Sequence, residues 1–556
     1  MTNKNLNNMT LERMGSRYPS RLSFSRSMLR TLINEKWKIT KSNFNLDKNG
    51  YGTAIYEVNI RNNIYSLICF SQYLAEQERS DRVIANKWDT AYTLRIGKIS
   101  KKDLIHLRKN IPLQESGRNT SNELVLSRAN KSLRLFDKVV SCLSEGKQPS
   151  IKDINNVGYL LRTTAVYGNG KFGMSDFLRT KVETDFNQPF RAEMLAVYII
   201  REFSVDLVEH VAYHKNPSKA VKLNNNIKQH LGIGNSTGLG MAPFVIKHPT
   251  LIHQWMNQFE KTLNEIKLIK KVNKLKFLKF IKLLEKARSY LNEVLTFDKY
   301  QKNKNNVSSK DLKKIITYCK KYINKHNKIS WNYLIQYGEK NLSYDAQEIV
   351  KVQIIELFPE ISDHLADNMS DNENMIIETS QIISSLLLEI KERYKWAINI
   401  NFKNKKNTFL FWYISEAKLE PRLGERYNEI GSELEQPLGI GKMVNELYYF
   451  ILNNPKLHKL NVAQFLLRFP HFRGIIRRIQ TLSKFNYGEI NDNILAKETL
   501  PINMLRFKLS FFGASRYDPK SDRWLRVSFF PGAPFLKNLN SKNVDNWGFA
   551  TMNSYK

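Results

Sequence analysis

Residues 51–70 read YGTAIYEVNIRNNIYSLICF, and the period of two in this stretch decides that the fold carries a sheet as well as helices. Tyr56, Val58 and Ile60 alternate with polar neighbours, Asn62-Asn63 supplies a turn able to adopt positive φ, and Ile64 to Phe70 returns. Successive side chains of a strand point to opposite faces, so such alternation across a short turn marks a hairpin with one face buried. Ala91 to Ile96 adds a third strand, and the region 41–115 is expected to be a small antiparallel β/α region.

Upstream, residues 1–40 form a basic segment in which Glu12 is the only acid before residue 35. Its Arg/Ser bias resembles an organellar targeting segment, but a basic first helix explains it as well. Downstream, residues 116–260 are expected to be a helical module interrupted by two glycine-rich loops. Residues 261–340 are Lys-rich and helical, 341–500 helical, and 501–556 a β-hairpin and tail. Within 501–556, Leu505, Phe507, Leu509 and Phe511 share one face of a first strand, and Arg523 to Phe530 returns. Gln301 to Ser309 is polar enough to read as a linker. The fold class is therefore α+β and predominantly helical, with a small N-terminal antiparallel sheet, a helical middle and a C-terminal hairpin.

The formal charge of +35 over 556 residues is the largest global signal. It attracts nucleic acid or anionic metabolites, although abundant Lys, Asn and Ile also fit AT-rich coding. Between residues 261 and 330 there are 20 Lys and Arg against 5 acids. Leu268, Val272, Leu275, Leu278 and Ile281 recur there at helical spacing, with Lys267, Lys270, Lys271 and Lys274 on other faces. No apolar run reaches the length of a membrane span. The isolated cysteines Cys69, Cys142 and Cys319 suit a reducing, cytoplasmic setting and exclude a disulfide framework.

Four places carry candidate chemistry. Gly232 to Gly240 concentrates four glycines around Asn235, Ser236 and Thr237. Backbone N–H groups freed by Gly234 and Gly238 can converge on an anion; a packed helix–loop–helix connection explains the segment too. A second loop, Tyr167 to Gly173, carries Asn169 and Lys171, and Arg162 precedes it on an expected helix. Between them runs a helix over about Ala192 to His214, on which Asp206, His210 and His214 fall on successive turns of one face. That face suits acid–base chemistry, and equally the polar edge of a buried helix; no metal set is read from it. Arg422 and Arg426 flank a Pro/Gly turn as forks for a carboxylate or phosphate, or as members of an internal ion-pair network.

Two functions follow as expectations. The first is an enzyme holding an anionic (phosphorylated or carboxylated) small molecule in the 160–250 module. Its ligand set is Arg162, Asn169, Lys171, Gly234, Asn235, Ser236, Thr237 and Gly238, with Arg422 and Arg426, while His210 or Asp206 moves a proton. The second is a protein binding RNA or single-stranded DNA. It uses Lys267, Lys270, Lys271 and Lys274 together with Arg473, Arg477, Arg506, Lys508, Trp524 and Arg526.

Overall fold

A computed structural model of the chain describes residues 20–78, 87–113, 120, 122–168, 184–186, 188–236, 249–294, 299–325, 330–367, 369, 376–404, 412–415, 421–423, 435–437, 440–485, 510–521 and 524–551. Its centre is a nine-stranded sheet. The strands are β1 (Lys38–Leu46), β2 (Gly52–Ile60), β3 (Asn63–Ser71), β4 (Thr90–Ile96), β5 (Glu123–Lys131), β6 (Tyr159–Gly168) and β7 (Gly232–Ser236). Three short strands, β8 (Trp412–Ser415), β9 (Pro421–Leu423) and β10 (Glu435–Pro437), pair separately in the order β10-β8-β9. The last two are β11 (Ala514–Ser521) and β12 (Trp524–Phe529), and the large sheet runs β1-β2-β3-β4-β5-β6-β7-β12-β11.

The hairpin at 51–71 pairs in the register Tyr56↔Leu67 and Ile60↔Asn63, so its turn is Arg61-Asn62, and the positive φ (52°) falls on Arg61 rather than an asparagine. Both faces of this part of the sheet are covered. Tyr56, Val58, Leu67 and Cys69 face the main core, while Ile55, Ile68 and Phe70 face a second cluster with Leu107. Burial on both faces is why Leu67 to Phe70 is an unbroken apolar run while β2 alternates only in part.

Every described pairing in the large sheet is antiparallel except β6–β7. A parallel pair needs a crossover, and here the crossover contains the helix Arg191–Lys215, 25 residues long with fifteen of them buried. It packs on strands of the sheet and on the helices Phe24–Asn34 and Phe136–Ser144. A helix apolar on nearly all sides is stable only when enclosed this way.

Arg201 sits on this helix, fully buried. Its guanidinium donates to the carbonyls of Leu231, Gln229 (2.8 Å), Ala533 (2.7 Å) and Pro534, and lies 3.8 Å from the Phe535 ring centre. The C-terminal segment is thereby fastened to the helix and to the entry of β7. A second buried network fastens the N-terminal side. Arg26 forms a two-pronged pair with Glu356, Arg21 does the same with Asp363, and Asp545 accepts from Arg21, Arg26 and Arg30. Burial works against the Asp545 charge, yet these arginines hold its carboxyl below the ordinary value.

Several expectations change. The sheet is not small and N-terminal: β5, β6 and β7 lie inside the segment 116–260 expected to be helical, and the C-terminal strands join the same sheet through β12–β7. The first C-terminal strand expected at Leu505 to Phe511 falls largely outside the described residues, and Ser510 to Phe512 is helical. The strands that do pair are β11 and β12, in the register Tyr517↔Val527. Gln301 to Ser309 is no linker; it lies within the helix Lys299–Lys325, where Gln301, Asn305 and Ser308 are buried and Gln301 donates to Asn305. Ser20 to Leu32 of the basic first segment is buried, not solvated. A second core, formed by Ile383, Leu386, Val444, Phe465 and Ile476 with their neighbours, belongs to a separate helical unit. Among the described residues no helix is long and apolar enough to cross a membrane.

Gly234 packs under Tyr159: a Cβ there would stand 2.6 Å from the ring. Gly234→Ala is expected to lower the unfolding free energy by about 1–3 kcal/mol through overpacking. Denaturant unfolding checks this; an unchanged midpoint would mean that the strand has room.

Candidate functional site

The glycine-rich segment is a strand. Gly232 is aligned with Tyr159, Gly234 with Arg162 and Asn235 with Thr163 across the parallel pair; Gly234 is aligned with Ser528 and Ser236 with Arg526 on the other side. Its backbone groups take part in two ladders instead of converging on an anion. Glycine is required for closeness: a Cβ on Gly232 would stand 2.4 Å from the Phe529 carbonyl oxygen. Gly234, Ser236 and Gly238 also have the spacing of a nucleophile elbow, but Ser236 is extended in the ladder, whereas an elbow serine sits on a sharp strand-to-helix turn. Arg162 lies on β6, not on a helix, and is buried beside Gly234. Thus Arg162, Gly234, Asn235 and Ser236 come together as sheet neighbours. Asn169, Lys171, Thr237 and Gly238 lie outside the described residues, as do Arg426, Arg506 and Lys508. Arg422 falls in β9, and Trp524 and Arg526 in β12.

The polar face of the long helix is occupied. Tyr56 donates its hydroxyl to Asp206 at 2.6 Å and Lys41 donates at 3.0 Å, so Asp206 fixes β1 and β2 to the helix. His210 Nε2 lies 2.8 Å from the carbonyl oxygen of Asp47 in the β1–β2 turn, and its ring packs against Phe44 and His214. Asp206 and His210 are not bonded to one another; each holds a strand or turn. Among the described residues no group of three or more His, Cys, Asp or Glu is placed to hold a metal ion. One turn earlier, Glu202 accepts the N–H of Leu536 at 2.6 Å. Burial pushes its carboxyl up to about 7, with the Leu536 N–H and Arg201 pulling the other way.

The lysine face is also rearranged. One helix ends at Lys267 and the next begins at Lys274 with Asn273 as its cap, so Lys270 and Lys271 lie in the break. The second helix buries Phe277, Phe280, Ile281 and Leu284, while Leu268 and Leu275 are 79% and 76% exposed. Two phenylalanines bury more apolar area than the leucine row, and they set the helix rotation. Lys270, Lys271 and Lys274 are exposed at this corner.

The most regular exposed cationic surface is in the second core. The helix Val462–Arg468 opens on a capping box between Asn461 and Gln464. A four-residue turn, Phe469 to Phe472, leads into the helix Arg473–Lys484. Ile475, Ile476, Ile479 and Leu482 of this second helix are buried, and Arg473 and Arg477 are exposed one turn apart. Arg468 and His471 are exposed beside them. Arg393 closes the far end by donating to the carbonyls of Leu482 and Ser483, the last acceptors of the helix. The sequence signal for this surface is that residues 447–488 contain no acid and seven Lys and Arg.

A cavity of about 260 Å³ lies elsewhere, between the turn 225–229 and the segment 532–547. Lys228, Gln229, Phe535, Trp547 and the asparagines Asn225, Asn226, Asn538, Asn543 and Asn546 line it. Sequence reading passed over these residues, because asparagines spread over more than 300 positions carry no pattern.

Glu202 gives a pH test. Its folded-state value, about 7, lies above the ordinary 4.5, so its contribution to stability is fully present below about pH 4.5 and lost as pH rises through 7. At ~1.4 kcal/mol per pH unit the loss is about 3 kcal/mol. Glu202→Gln keeps an acceptor for Leu536 and removes the titration, so its stability relative to the parent should rise between about pH 5 and pH 8. Parallel urea titrations at both values check this, and identical pH profiles for the two proteins would contradict it. Comparison with family models, with curated proteins and with solved structures returns no match for this chain.

Proposed function

We propose that this chain binds duplex DNA through the helix pair Val462–Arg468 and Arg473–Lys484. One observation carries the reading: within a stretch of sequence, 447–488, that holds no acid, the helices Val462–Arg468 and Arg473–Lys484 are joined through the 3-10 turn Pro470–Phe472, with Arg473 and Arg477 exposed on the second. Two short helices so joined form the helix–turn–helix arrangement, whose second helix enters the major groove by its N-terminal end. Arg473 and Arg477 stand at that end, where a guanidinium can address the O6 and N7 acceptors of guanine two-pronged. Arg468 and His471 flank them and suit the phosphate backbone. The lysine corner at 267–274 adds sequence-independent attraction and raises the association rate.

This reading keeps Arg473 and Arg477 from the expected nucleic-acid surface and changes the partner from single strands to duplex. Stacking platforms for single strands need exposed aromatics, and on this helix pair Phe465 is fully buried and Phe472 nearly so. An acid–base role for Asp206 and His210 draws less support, because each already holds a strand or turn.

Arg473→Ala/Arg477→Ala changes exposed positions, so stability should stay within about 0.5 kcal/mol of the parent. Its affinity for a fluorescent duplex of about 20 base pairs should fall at least tenfold, with a shallower dependence on salt. Anisotropy titrations at several salt concentrations measure both. Unchanged duplex affinity in the variant, or preference for single strands, would remove the helix pair as the reading head.

A further inference from the structure

The cavity between residues 225–229 and 532–547 is distinct from the helix pair and carries its own chemistry. None of its lining residues is acidic. Its volume, about 260 Å³, is just below the roughly 300–1,000 Å³ of pockets for drug-sized ligands, which selects a small metabolite. Phe535 and Trp547 are almost wholly buried and give it an apolar part. Around this part stand the exposed amides of Asn225, Asn226 and Asn538, each a donor and an acceptor, the pairing that sugar hydroxyls satisfy, while Asn543 is engaged with Asn538 and Asn540 and Asn546 donates to the Lys542 carbonyl.

Cations surround the same place. The Lys228 ammonium lies 5.6 Å from the centre of the Phe535 ring, over which the Arg201 guanidinium also stands at 3.8 Å. Lys286 donates to the carbonyl oxygen of Asn546 at 2.7 Å, and burial together with Arg26 pushes its ammonium down to about 8. Arg201 donates to backbone carbonyls, which leave its charge in place. Asp545, next to the lining residue Asn546, is matched by Arg21, Arg26 and Arg30, and Glu202 beside Arg201 is held partly protonated near neutrality by burial while accepting from Leu536. The local field is therefore positive, in a cavity whose walls offer hydrogen bonds and an apolar surface.

We propose that this cavity binds a small sugar phosphate, with Lys228 on the phosphate, the asparagine amides on hydroxyls, and the Phe535 and Trp547 side chains under the sugar carbons. Each part of the ligand answers one part of the wall: a dianion for the Lys228 ammonium, hydroxyls for the amides, a C–H face for the aromatic rings. The site does not rest on DNA binding.

Isothermal titration calorimetry on the full chain tests it, with glucose 6-phosphate, adenosine monophosphate, inorganic phosphate and glucose as separate probes. A phosphate ester should bind at least tenfold more tightly than phosphate or glucose. Which ester is tighter distinguishes a free sugar phosphate from a nucleotide. Lys228→Ala should weaken ester binding about tenfold or more, and Asn538→Asp, which places a carboxylate in the wall, should weaken it further at neutral pH. Both positions are partly or fully exposed, and circular dichroism melts verify that the variants fold. Arg473→Ala/Arg477→Ala should leave ester binding unchanged. Absence of heat with both esters at about millimolar concentration, or equal binding by parent and Lys228→Ala, would overturn the proposal. So would loss of binding in the arginine double variant alone, because the ester would then sit on the helix pair.

Discussion

A fully buried guanidinium that spends its charge on main-chain oxygens is the constraint around which this fold is arranged. Arg201 reaches residues 229, 231, 533 and 534, two chain segments some 300 positions apart. Burial lowers its pKa only to about 10, so the charge persists and must be solvated from inside. Carbonyl oxygens do that, and each belongs to chain that has to pass close by. The five-residue β7 is therefore held between β6 and β12 by more than its own ladder. With Arg201 replaced by an apolar residue, Gln229 would keep the Gly532 N–H and Pro534 the Tyr198 hydroxyl, but the Leu231 and Ala533 carbonyls would lose this donor, at about 1–3 kcal/mol for each one left buried.

The arginines of the first helix obey the opposite rule. Arg21, Arg26 and Arg30 are matched by Glu356, Asp363 and Asp545, three cations against three carboxylates. A buried pair repays its desolvation only with close, two-pronged geometry, and Arg26 with Glu356 has it. Neutralised charge locks the N-terminal helix to the rest; charge solvated by carbonyls fixes the C-terminal return. The two devices leave different fields behind. Only the second leaves a positive interior, and the cavity lined by Lys228 opens beside it.

How far the fold was legible depended on whether burial had one side or two. The hairpin at 51–70 showed a usable period of two, and the helix at 191–215 was long enough to be read directly. β5 and β6 were not, since Leu124, Val125 and Leu126 are all buried, as are Leu160 and Leu161, and a short apolar run has no period to distinguish strand from helix. β7 failed for another reason: Gly232 and Gly234 are there for what their absent side chains avoid, contact with Phe529 and Tyr159, which only the fold reveals. The polar stretch after Lys299 was misread because Gln301 and Asn305 satisfy one another in the interior. Of the candidate residues, Arg473 and Arg477 were legible as cations among aromatics. Their setting on the second of two joined helices was not, since it depends on which faces of those helices the core takes.

Where the charge is neutralised also separates function from coding drift. In the lysine-rich stretch Glu285 pairs with Lys320 and Asp311 with Lys314, and Glu360 from outside the stretch pairs with Lys276. Such pairs on exposed surface contribute little to stability, and lysines scattered among them cost little too, as drift would leave them. Residues 447–488 differ in that the stretch itself holds no acid among its seven Lys and Arg, and Glu378 of the same unit pairs with Lys484. Mutual repulsion there lowers the stability of a unit that has little core to offset it. An arrangement that costs stability and presents two arginines a turn apart is explained when an external polyanion supplies the missing charge. On that argument the proposed role of the +35 falls to the helix pair rather than to the more highly charged lysine segment.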